Sequence, residues 1–130
     1  MLSPAQGEIE IEAGRRVFAP GDEVTGTVHW RLDEAPESVS LRLFWQTQGR
    51  GDSDVDVVEE KVVETPGADD RRPFRFRLPE GPYTFSGQLI SLLWGLELVA
   101  EPAGALAHVE ITVSPTGGEV ILRESTAQGE

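Results

Sequence analysis

The sequence predicts an all-β fold, a sandwich of about seven or eight antiparallel strands. Three observations carry that expectation. Apolar and polar residues alternate over most of the chain, the two-residue period of half-buried strands. Turn signals built from Pro, Gly and Asp recur at a spacing of roughly 8 to 12 residues. No segment keeps a 3.6-residue period, and the longest apolar run, Leu89 to Ala100, is flanked by glycines and prolines in a strand-rich context.

The elements follow in order. Glu8 to Glu12 reads EIEIE, with Ile9 and Ile11 on one side and three glutamates on the other. Ala13 to Arg16 turns. Ala19-Pro20-Gly21-Asp22 places Pro and Gly as a type II turn requires. Glu23 to Leu32 alternates, with Val24, Gly26, Val28, Trp30 and Leu32 on one face. Gly26 has no side chain to pack, so a bulge or a close backbone approach is expected there. Val39, Leu41, Leu43 and Trp45 form the next inward face, opposite Ser40, Arg42, Phe44 and Gln46. Thr47 to Asp54, with Gly49 and Gly51, reads as an exposed hairpin tip.

Val55 to Val63 is β-branched, but Glu59, Glu60 and Lys61 spoil its alternation, which predicts a solvated edge strand or a bulge. Phe74, Phe76 and Leu78 point inward and Arg75 and Arg77 outward. A turn over Pro79 to Pro82 leads into a long strand from Gln88 to Ala100. There Ile90, Leu92, Trp94, Leu96 and Leu98 share a face, and Leu89, Leu93 and Val99 make the other face partly apolar, as in a central strand covered on both sides. Val109, Ile111 and Val113 give one more inward face. Thr116-Gly117-Gly118 breaks the chain, Glu119 to Arg123 reads as a short last strand, and 124–130 as a disordered tail. Residues 1–123 thus form one expected domain of immunoglobulin-like architecture, without the Cys and Trp signature of antibody domains.

Composition narrows the function classes. The 130 residues suit one self-sufficient core. Cysteine is absent, which excludes disulfides and thiolate chemistry and points to a reducing, cytoplasmic compartment. Neither a signal peptide nor a membrane span is legible, so no membrane insertion is expected. The formal net charge of -12 disfavours nucleic acid as a partner.

Two stretches resemble the amino-terminal lobe of the arrestin-like superfamily, which includes arrestins, a retromer subunit and bacterial sporulation-control proteins. One is Phe18-Ala19-Pro20-Gly21-Asp22 with the strand through Val28 and its internal Gly26. The other is Phe74-Arg75-Phe76-Arg77-Leu78-Pro79, followed by Gly81 to Gly87 and the strand through Trp94. The resemblance covers roughly residues 8 to 113. It implies a β-sandwich adaptor that binds proteins and has no catalytic activity. Arrestins pair two such lobes, and this chain has room for one.

The search for chemistry yields little. Asp52, Asp54 and Asp56 have the spacing of a calcium loop, but Val57 stands where an EF-hand needs glycine and Val63 where it needs glutamate. Solvated acids are therefore favoured over a metal site. His29 and His108 fall on different strands, both outward, with no spacing that would bring them to one zinc ion. Ser86 and Ser91 lie in no nucleophile elbow, and Gly117-Gly118 is a turn, not a phosphate loop. Trp30, Trp45 and Trp94 fall on the core face by parity, against a sugar-binding platform. No catalytic residue, metal ligand or cofactor is assigned, and the chain is expected not to be an enzyme.

What remains is contact surface. Arg71, Arg72, Arg75 and Arg77 are a basic cluster in an acidic chain, for which neutralisation by its own carboxylates is favoured over a partner patch. Arg75, Arg77, Phe44, Val55 and Val57 are the candidate contacts. The expected role is a non-enzymatic adaptor or scaffold that binds a protein partner or itself through a sheet edge or face. The alternative is a ligand-binding sandwich, a carbohydrate or calcium-dependent module. A small-molecule ligand is the less expected partner.

Overall fold

The structure is a computed structural model, and it describes residues 6–49, 53–87, 90–115 and 120–121. The expectations for Gly51, Asp52, Leu89, the Thr116-Gly117-Gly118 break and the 124–130 tail lie outside the described residues. Ten strands follow in order among those described: β1 Gln6–Ile11, β2 Val17–Phe18, β3 Glu23–Arg31, β4 Ser38–Gly49, β5 Ser53–Val62, β6 Asp69–Arg77, β7 Phe85–Ser86, β8 Ile90–Glu101, β9 Gly104–Val113 and β10 Val120–Ile121. Three of them are two residues long, which leaves seven longer strands. Among the described residues no helix is long and apolar enough to cross a membrane.

The strands form two sheets. One has the order β1-β3-β6 and is antiparallel. The other runs β5-β4-β8, and the far edge of β8 is shared by β9 along most of its length and by β7 at its start. The short β2 and β10 add to β9 and β7 in parallel. This is the all-β sandwich that alternation predicts.

The core lies between the sheets. Val24, Val28, Trp30, Phe74 and Phe76 enter from the smaller sheet, and Val39, Leu41, Leu43, Leu92, Trp94, Leu96, Leu98 and Ile111 from the larger. Trp30 and Trp94 are almost wholly buried, and each finds a carbonyl for its indole N–H. Trp30 Nε1 donates to Gly67 O at 2.8 Å, and Trp94 Nε1 to Pro82 O at 2.9 Å. Both bonds tie a loop to the core. Trp45 packs against the core but is only half-buried. Ile90, placed inward by parity, is 44% exposed at the first residue of β8.

The Pro20-Gly21 turn signal is realised. Asp22 N donates to Ala19 O at 3.0 Å across Pro20-Gly21, and Gly21 has φ 84°, the type II geometry. The Asp22 carboxylate also accepts from Ala19 N at 2.9 Å and from Arg15 Nη2 at 2.6 Å. These bonds hold its carboxyl below the ordinary value, the backbone N–H contributing most. Gly26 is a close approach and not a bulge. It pairs with Phe74 in unbroken register, and a Cβ on it would meet the Phe74 ring at 2.8 Å as well as the Glu10 carbonyl.

Candidate functional site

The exposed edges decide where another chain can add. At one side of the smaller sheet, β1 packs beside β9, close enough that a Cβ on Gly7 would lie 2.7 Å from Leu106 Cβ. At the other side, β6 carries Pro73, which has no N–H to offer a neighbour. In the larger sheet β5 pairs with β4 alone among the described residues, and its ten residues contain neither Pro nor Gly. Residues 54–62 are exposed throughout.

Register assigns the faces of β5. Arg42 opposes Glu60, Phe44 opposes Val57 and Gln46 opposes Val55, and these β4 residues alternate with the buried Leu41 and Leu43. Glu60, Val57 and Val55 therefore lie on the outer face. The register shifts between Leu43 and Phe44, so Val58 is the extra residue of a bulge. The bulge reconciles the broken alternation of the sequence: Val57 lies on the outer face before it, and Glu59 and Lys61 turn inward after it. Val55, Val57, Val58 and Val62 are 62%, 48%, 37% and 65% exposed.

The outer face of the larger sheet thus gathers three of the predicted contacts. Val55 and Val57 lie at the edge, and Phe44 stands directly across from Val57. Phe44 is half-buried because its ring lies over Gly95, its partner on β8; a Cβ on Gly95 would come within 2.8 Å of Phe44 Cζ. Beside this apolar corner Arg42 Nε donates to Glu60 at 2.9 Å and reaches Glu97 at 3.9 Å. The Arg42 bond, with a further bond from Ser40, lowers the Glu60 carboxyl below its ordinary value.

The inward side of β5 is charged instead of apolar. Lys61 Nζ is 3.1 Å from Glu59 and lies 5.3 Å over the Phe76 ring. An open cleft of about 380 Å³, lined by Val28, Leu41, Lys61, Val62, Arg72 and Phe74 among others, separates β5 from β6. Charges turned inward on an edge are a common guard against indiscriminate strand pairing.

Arg75 and Arg77 are on the opposite side of the molecule, on the outer face of the smaller sheet. That face is acidic along β1 and mostly basic along β6, which also carries Asp69. Glu8 and Glu10 line β1, and Arg71, Arg75 and Arg77 line β6, with Pro73 between them. Neutralisation, the expectation for the cluster, is realised for Arg72, whose Nη2 sits 2.8 Å from Asp70. Arg75 reaches Glu23 only at 3.9 Å, and the Arg71 and Arg77 side chains have no partner among the described residues.

The remaining candidates do not assemble. His29 bonds Asp69 at 3.0 Å on the outer face of the smaller sheet, and His108 is exposed on the outer face of the larger. Asp54 and Asp56 share the inward side of β5, while Asp52 lies outside the described residues. Among the described residues no group of three or more His, Asp or Glu is placed to hold a metal ion. Val58 and Val62 are the surface residues that alternation alone missed; the run Glu59-Glu60-Lys61 was their signal, read as a break without its consequence for facing.

No family model matches the chain, and no curated protein does. Among solved structures, the sporulation control protein Spo0M from Bacillus subtilis aligns over 86% of this chain and 50% of its own, with TM-score 0.62 and 20% identity. The alkylpurine DNA glycosylase AlkC from Pseudomonas fluorescens aligns over 85% of this chain and 30% of its own, with TM-score 0.50 and 9% identity. The chain spans about half the length of the first and under a third of the second. At these identities the likeness is one of fold. It agrees with the β-sandwich that the arrestin-like resemblance implies.

Proposed function

We propose that this chain is a non-enzymatic protein-interaction module of arrestin-like type, which takes an extended segment of a protein partner, or of itself, along β5. The observation that carries the reading is the state of that strand: ten residues, a single hydrogen-bonded neighbour among the described residues, no Pro or Gly, and exposed valines. A free edge offers unpaired N–H and C=O groups, and strand addition satisfies them while side-chain pockets set specificity. The fold shared with Spo0M supports a scaffold-type role only by analogy. The ligand-binding alternative is less well supported, since Trp30 and Trp94 are core residues and the acids of β5 do not converge.

The test compares the full chain with two variants. Val55→Lys/Val57→Lys alters the edge without touching the core, and Arg75→Ser/Arg77→Ser alters the far face. Proteins captured by the parent chain are expected to be lost by the edge variant and retained by the arginine variant. Equal capture by both variants overturns the edge reading. So does a chain that captures nothing and sediments as a monomer at every concentration.

A further inference from the structure

We infer that the segment which adds to β5 is β5 of a second copy of this chain, paired antiparallel about a two-fold axis with Val55 opposite the second copy's Val62. The inference rests on the edge reading and goes further by naming the occupant and the register.

The bulge at Val58 restricts the choices. Before it, Val55 and Val57 face outward and Asp54 and Asp56 inward; after it, Glu60 and Val62 face outward and Glu59 and Lys61 inward. Directly opposed residues of an antiparallel pair share a face. Across the bulge, a second β5 can therefore match face to face only where residues of opposite parity oppose each other, outward Val55 or Val57 against Glu60 or Val62 and inward Asp54 or Asp56 against Glu59 or Lys61.

Two symmetric registers achieve this over most of the strand. With Val55 opposite Glu60, Asp54 meets Lys61, but Asp56 meets Glu59, and symmetry repeats that acid–acid contact. With Val55 opposite Val62, Asp56 meets Lys61 and Val57 meets Glu60. The two bulges then face each other at the axis, Val58 against Glu59, where both ladders are already irregular. Opposite charges directly across a ladder stabilise and like charges destabilise, so the second register is favoured. It uses Lys61, the sole lysine of the chain, twice, and covers the two most exposed of the described β5 valines, Val55 and Val62, with each other. The same inward charges have no such partner on an arbitrary strand.

Sedimentation equilibrium of the full chain at 0.15 M salt is expected to show a concentration-dependent dimer. Asp56→Lys and Lys61→Asp each replace two attractive contacts with two repulsive ones and should weaken it roughly tenfold or more. The double exchange Asp56→Lys/Lys61→Asp restores opposite charges and should recover most of the affinity. Circular dichroism checks that each variant is folded. A monomer at all concentrations, or a dimer that the single exchanges leave unchanged, overturns the inference, as does a double exchange with no recovery.

The absence of native cysteine permits a test of register. Val55→Cys and Val62→Cys chains, mixed and oxidised, should link to each other, because opposed Cα atoms lie about 4.5–5.5 Å apart, within disulfide range. Neither chain alone should link, since identical positions are separated by roughly 20 Å of strand. Self-linking of Val55→Cys alone overturns the register. If the chain is monomeric yet loses a captured protein on replacement of Val55 and Val57, the edge reading stands and this inference fails. If a dimer forms that is indifferent to every β5 change, both fail.

Discussion

Phe44 is an exposed-face aromatic that spends its ring on a glycine. Gly95 opposes it on β8, and a Cβ there would meet Phe44 Cζ at 2.8 Å and the Val109 carbonyl at 3.0 Å. The same device recurs on the other sheet, where the Phe74 ring lies over Gly26. Aromatic cover of a strand glycine shields backbone that no side chain of its own protects. Gly95→Ala is expected to cost about 1–3 kcal/mol through overpacking. In a Phe44→Ala background the same change should cost less, because the ring that must move is gone. A coupling of about 0.5–3 kcal/mol between the two positions, read from urea midpoints, is the expected outcome. Strict additivity would show that the ring yields freely.

Asp70 gives a second residue-scale prediction, in pH. Its carboxylate accepts from Arg72 Nη2 at 2.8 Å and from Gly67 N at 3.0 Å, and these bonds lower its pKa from 3.8 to about 2, Arg72 contributing most. A folded pKa below the unfolded one means stability that is present above the unfolded value and lost as pH falls through the folded one. The contribution should therefore fade between about pH 4 and about pH 2. Asp70→Asn is expected to be less stable than the parent at pH 7 and to show a flatter loss of stability across that acid window, measured by denaturant titration at each pH. An unchanged acid limb would count against the role of this carboxylate. The bond also has a structural purpose: Gly67, whose N–H it holds, offers its carbonyl to Trp30.

At the scale of the element, most of the architecture was legible because each long strand has one buried face. Alternation places Val24, Val28 and Trp30, then Val39, Leu41 and Leu43, then Phe74, Phe76 and Leu78 inward, and all nine are buried. The Pro20-Gly21 turn was equally readable, since only glycine takes its φ at no cost. The pattern fails where burial is one-sided or absent. Ile90 has the right parity but is exposed at the start of β8, and Trp45 is only half-covered. The short strands β2 and β7 left no trace, because two residues cannot display a period, whereas β10 falls within the expected Glu119 to Arg123 strand. The candidate surface was half-legible. A spoiled alternation indicated an edge or a bulge at Val55 to Val63, and the strand is both. That Phe44 faces Val57 depends on register between strands, which local sequence does not encode. The separation of Arg75 and Arg77 onto the far side of the sandwich is equally a property of sheet order.

For the whole molecule the dominant long-range term is charge. The sequence carries 23 acidic against 11 basic residues, a formal net charge of -12. Several of the basic groups are committed to local pairs: Arg15 with Asp22, Arg31 with Asp69, Arg42 with Glu60 and Arg72 with Asp70. The excess of carboxylates repels itself across a molecule only a few Debye lengths wide. Salt acts on both contributions in opposite directions. It weakens the exposed pairs, but those are short contacts between partly solvated groups, whereas the repulsion sums over many distant acids and is screened once the Debye length falls to about 10 Å near 0.1 M. The sum should win. The thermal midpoint is expected to rise as sodium chloride increases from about 0.01 to about 0.15 M, and to level off beyond, as followed by scanning calorimetry at pH 7. The same screening should favour any association of two such acidic copies, so dimer affinity and thermal midpoint should rise together over that range. A midpoint that falls with added salt would mean that the local ion pairs, and not the net charge, set the electrostatic stability of the sandwich.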